Sequence, residues 1–241
     1  MKSKILLFIL LSVGLHAHSQ FRDSRFKAGA KIGFNISYFT RNVDLFDHPV
    51  DPYSSFKNSS RGSFTGGVTL DIEMVKSFTF GMEVLYSSRG MGYSQKNDRV
   101  IIETEDGQTK SASNRFQYHV DYLELPLTVN YNFKPASSKN MIIGYVGIAP
   151  ALLIKNKTKL DYPKSDPDHE NQKADLNHVN SFMKSFLAGI KLGESYPDTE
   201  LYVDFRGNYT LSKVFNRSTN EFGENLDTRM FTFTFAFGIK F

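Results

Sequence analysis

The segment RMFTFTFAFGIKF at the C-terminus sorts its side chains by parity. Phe231, Phe233, Phe235, Phe237, Ile239 and Phe241 fall on one set of positions, and Thr232, Thr234, Ala236, Gly238 and Lys240 on the other. A helical period of about 3.6 residues would scatter either set around the axis, whereas a strand holds the two on opposite faces. The segment is therefore a strand, one face wholly apolar and the other small, polar or charged.

The same alternation runs through the rest of the chain. In DYLELPLTVNYNF, Leu123, Leu125, Leu127, Val129, Tyr131 and Phe133 oppose Tyr122, Glu124, Thr128, Asn130 and Asn132. In LYVDFRGNYTL, Leu201, Val203, Phe205, Tyr209 and Leu211 oppose Tyr202, Asp204, Arg206, Asn208 and Thr210. Residues 26–39, 63–74, 78–88 and 181–193 read alike with more glycine, and MIIGYVGIAPALLI is apolar on both faces, which leaves its orientation open. Eight strands result.

Their connections cover residues 40–62, 75–77, 89–117, 134–140, 156–180, 194–199 and 214–227, alternately long and short. All the long ones then lie at one end, as in an up-and-down outer-membrane barrel with short periplasmic turns. The strands also match the ~9–11 residues that a tilted span needs. Tyr38, Tyr86, Tyr131 and Tyr209 stand near strand ends, where interfacial girdles place aromatics. The fold class expected is all-β: an eight-stranded antiparallel up-and-down transmembrane β-barrel. A soluble barrel of lipocalin type is the alternative and inverts the polarity, with the apolar face inward. It would crowd large side chains into an interior that eight strands barely leave open.

Residues 1–19 read as a cleaved signal peptide: Lys2 and Lys4, the apolar run Ile5–Leu15, then HAHSQ with Ala17 and Ser19 before the cut. That run is too short for a membrane anchor. Residues 20–241 form the barrel domain. The chain has no cysteine, which excludes disulfides, thiolate metal sites and cysteine nucleophiles. Its net charge of +4, or +2 without Lys2 and Lys4, gives no reason to expect nucleic acid.

The segments KAGAKIGFNIS, DYLELPLTVNYNF and GYVGIAPALLI, with the Phe-terminated last strand, resemble the Bacteroidetes outer-membrane β-barrel family often called PorT-like. Y-L-E-L-P-L is the most distinctive piece. The resemblance implies an eight-stranded outer-membrane barrel. The family's namesake belongs to a protein-secretion pathway, so an accessory subunit of such a machine is a second functional reading.

Motifs for chemistry are sparse. GxSxG, HExxH, Walker A and GxGxxG are all missing, and His48, His119, His169 and His178 include no i, i+4 pair. Asp166, Asp168 and Glu170 have calcium-loop spacing without the turn glycine or closing glutamate, so a solvated loop is the simpler reading. His119 and Asp121 share a strand face and are the nearest approach to a rim hydrolase, the third reading. No catalytic, cofactor or metal residue is expected.

The polar face is better explained structurally. Lys31, Asp71, Glu73, Glu83, Glu124, Lys191, Asp204, Arg206 and Lys240 would line the lumen, where unpaired charges are costly. They should pair across it, with Glu124, Asp204 and Arg206 foremost, and leave no channel. The favoured function is non-enzymatic, carried by external loops at 40–62, 89–117 and 156–180. The partners expected are outer-membrane lipid, other envelope proteins, and the barrel-assembly machinery, for which Phe241 would be the terminal signal.

Overall fold

The computed structural model describes residues 25–41, 57–75, 77–103, 106–134, 139–163, 171–174, 178–219 and 226–241. The expected signal peptide lies outside them. So do His48, His169, Asp166, Asp168 and Glu170.

Among the described residues ten strands make one antiparallel sheet: β1 (Phe26–Phe39), β2 (Lys57–Val75), β3 (Phe78–Glu103), β4 (Thr109–Glu124), β5 (Leu127–Asn132), β6 (Asn140–Asp161), β7 (Gln172–Ala174), β8 (Phe182–Ser195), β9 (Glu200–Thr210) and β10 (Met230–Lys240). β4 and β5 both pair with β3 on one side and β6 on the other, so they are one stave interrupted at Leu125 and Pro126. Pro126 has no N–H to give the ladder. β7 only adds three residues to the edge of β6. Eight staves remain, and β1 closes the ring against β10 from Gly29↔Lys240 to Phe39↔Met230. No helix among the described residues is long and apolar enough to cross a membrane.

The apolar face points outward. Phe34, Phe235 and Phe205 lie side by side across β1, β10 and β9, and are 50%, 40% and 47% exposed. A continuous wall of this kind is a lipid-facing surface, and it overturns the lipocalin polarity. Aromatic girdles bound it. Tyr38 stacks on Phe231 at 5.7 Å and Tyr86 meets Phe64 at 5.8 Å at one rim, while Phe78, Tyr131 and Phe133 pack at 4.9 and 5.0 Å at the other.

The short turns and the last residue lie at the lower rim. Above the upper rim the strands continue, which corrects the sequence reading. Residues 57–62, 89–103, 109–117 and 156–161, expected in loops, are strand. The reason is a reversal of polarity. Along β4, Glu124 points in and Leu123 out, as a membrane strand requires; higher up, Phe116, Tyr118, Val120 and Tyr122 point in and Arg115, Gln117, His119 and Asp121 out. Water has replaced lipid outside, so the core has moved indoors. The two-faced strand also acquires an orientation: Met141, Ile143, Tyr145, Ala149 and Ala151 of β6 are buried in the lumen, and Val146, Ile148, Leu152 and Ile154 face lipid.

Candidate functional site

The interior has two chemically different halves, and the lower one is ionic. Lys31 of β1 lies 2.8 Å from both Glu83 of β3 and Asp204 of β9. Arg206, two residues along β9 and on the same face, reaches Glu83 at 2.9 Å and Asp204 at 3.1 Å. Tyr145 of β6 donates its hydroxyl hydrogen to Asp204 and accepts from Arg206 Nε at 3.0 Å. Lys191 of β8 lies 4.0 Å from Glu83 and 5.1 Å above the Tyr145 ring. Lys240 of β10 bonds Asp71 of β2, lies 3.6 Å from Glu200, and covers the Tyr202 ring at 4.9 Å.

Every one of these charged groups is at least nine-tenths buried. Lys31, Lys191, Arg206 and Lys240 face Asp71, Glu83, Asp204 and Glu200, and half-buried Lys27 also reaches Glu200 at 2.5 Å, so every buried charge of the cluster has an opposite one beside it. Buried charges are tolerable on those terms: each needs an opposite charge and further hydrogen bonds to offset its desolvation.

Five of the six residues expected in the lumen network, Lys31, Glu83, Asp204, Arg206 and Lys240, sit in this cluster. Glu124 is buried but stands apart, paired with Arg89 rather than Arg206. Strand tilt and stagger set β4 and β9 at different heights here. Glu73 is exposed at the lower end of β2 and is not a lumen group. Arg89, Glu200 and Tyr145 escaped sequence reasoning: Arg89 lies where a loop was expected, Glu200 opens its strand, and Tyr145 belongs to the strand whose faces could not be told apart. Phe241 follows β10, half exposed, with its N–H donated to Ala28 O at 2.8 Å.

Apolar packing fills the upper half. Phe39, Tyr93, Phe116, Tyr118, Met183 and Met230 converge there, with Phe39 and Tyr118 5.9 Å apart. The chain after β9 folds over them from above. Val179 and Phe215 form a bridge, Asn180 N–H donates to Val214 O at 2.8 Å, and Asn216 N–H to His178 O at 2.9 Å. Val214 and Phe215 thereby become fully buried, Phe215 edge-on to Phe39 at 5.9 Å. Among the described residues both halves of the interior are packed with buried side chains.

A ring of strands with a lipid-facing wall and girdles at both rims agrees with the comparison to known families. The family described as outer membrane protein beta-barrel domain matches residues 18–216. The chain belongs to this family. It is an integral outer-membrane protein.

Three solved outer-membrane structures are distantly similar. The Neisserial surface protein A (NspA) is 15% identical, covering 90% of this chain and 98% of that one, with TM-score 0.41. Ail, the attachment invasion locus protein of Yersinia pestis, is 12% identical, covering 89% and 98%, with TM-score 0.39. OprG of Pseudomonas aeruginosa is 10% identical, covering 89% and 95%, with TM-score 0.42. No curated protein matches the chain in sequence.

On this family's barrel the outer surface above the girdle carries the expected rim pair. His119 Nε2 is hydrogen-bonded to Gln117 Oε1 at 3.1 Å, and Asp121 accepts from Ser88 Oγ at 2.6 Å. The hydroxyl thus bonds the carboxylate, where a hydrolase needs its nucleophile on the imidazole. Burial and the positive charges of Arg61, Lys159 and Lys155 outweigh Asp121 and push the His119 imidazole down to about 4. So weak a base draws little proton from a nucleophile at neutral pH.

Proposed function

We propose that the protein is a non-enzymatic, closed outer-membrane barrel that works by presenting a rigid structure above the membrane, not by conducting solutes. The observation that carries this reading is the doubly filled interior, ionic below and apolar above. What projects is the β3–β4 ribbon, paired from Tyr93↔Phe116 up to Glu103↔Thr109, with Lys96, Ile101, Glu103, Lys110, Ser113 and Arg115 exposed. Such a ribbon is a pre-formed contact surface that loses little entropy on binding.

The resemblance of its central Y-L-E-L-P-L strand to the PorT-like family supports a particular version, an accessory subunit of a secretion machine. Phe241 at the end of an aromatic strand supports recognition by the barrel-assembly machinery. The experiment is affinity purification from native membranes with the full chain and with a chain whose residues 95–113 are replaced by a short turn. Both forms should be heat-modifiable outer-membrane proteins, and only the full chain should bring a stoichiometric envelope partner. Steady ohmic conductance in planar bilayers, or identical partners with and without the ribbon, refutes the reading.

A further inference from the structure

Just above the upper girdle, β6 changes phase. Asp121 of β4 pairs with Lys155 and its neighbour Tyr122 with Leu153, so Ile154 is an extra residue, a β-bulge. Ile154 and Lys155 are consequently both exposed, in succession. Beyond them Asn156, Thr158 and Leu160 turn inward and Lys155, Lys157 and Lys159 outward. Without the bulge the three lysines would point into the apolar upper lumen. Bulges re-aim side chains in this way, and this one sets a row of ammonium groups on the outer wall where the lipid-facing band ends.

Neighbouring strands enlarge the row. Lys173 of β7 lies directly opposite Lys159, a like-charge pair that weakens a sheet unless something answers it. Lys184 of β8 stands on the lipid-facing wall between Phe182 and Phe186, paired with Pro150, and its ammonium lies 5.8 Å from the Phe182 ring centroid, on the side of the upper rim. A lysine in such a place snorkels toward the headgroups. Among the described residues only two carboxylates face the patch. Asp161 takes Lys159 at 2.7 Å, and Asp121 is occupied by Ser88. Among the described residues no carboxylate lies within ion-pair distance of Lys155, Lys157, Lys173 or Lys184.

We propose that Lys155, Lys157 and Lys184, with Lys159 and Lys173 above them, bind the phosphate groups of a phosphorylated glycolipid in the outer leaflet. Height decides between lipid and soluble anion. The row begins at Ile154, the last lipid-facing residue of β6, and Lys184 lies below that level, so the ligand must have phosphates at the headgroup plane and acyl chains against Leu152, Phe182 and Phe186. The long strands mark this end as the outer one.

The test uses the full chain in nanodiscs carrying bis-phosphorylated lipid A, the same lipid after enzymatic dephosphorylation, or phosphatidylcholine alone. The wild type should retain phosphorylated lipid A through washing, and Lys155→Gln, Lys157→Gln and Lys184→Gln should each weaken retention by about fivefold. Lys139→Gln at the opposite rim should leave it unchanged. Lys157 is exposed and has no ion pair among the described residues, so Lys157→Gln keeps the test valid should another variant fold poorly. The proposal is overturned by equal retention of the dephosphorylated lipid, by undiminished retention in the lysine variants, or by displacement of the lipid with inositol hexakisphosphate at matched phosphate concentration.

Discussion

Tyr202 occupies the space that a side chain on Gly238 would need. A Cβ placed on Gly238 would lie 2.1 Å from the Tyr202 Cζ, far inside contact distance. The ring cannot retreat, because Lys240 and Lys191 lie on it at 4.9 and 5.6 Å. The glycine in the aromatic strand is thus the socket for a neighbour's ring, and the ring in turn holds two lysines of the ionic cluster.

Gly238→Ala should therefore destabilise the barrel by about 1–3 kcal/mol, the usual penalty of overpacking. Gly207→Ala is the control, since a Cβ there would meet nothing closer than 3.6 Å. Denaturant midpoints of the two variants in detergent should differ accordingly, and Tyr202→Leu should recover stability only in the Gly238→Ala background.

Arg206→Ala leaves Glu83 and Asp204 to share Lys31 and the more distant Lys191. Removing one partner of a buried ion pair costs ~3–5 kcal/mol. Arg115→Ala, on the exposed face of β4, should cost almost nothing. Arg61, expected in a loop and hence tolerant, is no such control, because it lies in β2 and donates to Arg89 O and Ser88 Oγ. Urea titration of the folded barrels compares all three directly.

His119 should give the most legible pH response of the outer surface. Its folded value near 4 lies below the 6.5 of the free side chain. Between those values the unfolded chain takes up a proton that the folded one refuses, so the contribution of neutral His119 is intact above pH 6.5 and lost as pH falls toward 4. His119→Gln should flatten stability across that window. Carbon-detected titration of labelled histidine in micelles should place His119 near 4, and Lys155→Gln should move it upward.

Deleting Phe241 should reduce the folded outer-membrane population far more than Phe235→Ala. Loss of one lipid-facing ring costs only about 1.5–3 kcal/mol of burial, and the rings of Phe205 and Phe237 beside it remain on the wall. A lost assembly signal instead leaves unfolded chain behind. Immunoblotting of heat-modifiable protein in membrane fractions decides it, and greater damage from Phe235→Ala would show that Phe241 is one more wall residue.

Parity made the membrane-embedded part of each stave legible, because lipid outside and charge inside leave contrasting sets such as Phe235 against Thr234 and Lys240. The reading stopped where contrast was absent or inverted. β6 has Met141 and Ile143 facing the lumen and Ile142 and Val146 facing lipid, and no periodicity separates aliphatic from aliphatic. Above the girdle, Tyr118 in and His119 out is still an alternation, but with the signs exchanged, so a search for apolar-out strands passes over it. The bulge at Ile154 then shifts the phase by one and hides the lysine row from any count by twos. The ionic cluster was legible as a set of charges, but its pairings were not, since they depend on strand stagger.

The buried ion pairs have one more consequence, for the order of assembly. Lys31 finds Asp204 across 173 residues of chain, and Lys240 finds Asp71 across 169. Both pairs bridge the seam at which the first and last staves meet. Before that seam closes, Lys31 has Glu83 but lacks Asp204, and Asp71 lacks Lys240, so the cluster is only partly neutralised. Closure of the seam therefore completes the neutralisation of the lumen charges, and it ties the last step of barrel formation to the pairing of residues from the two ends of the chain.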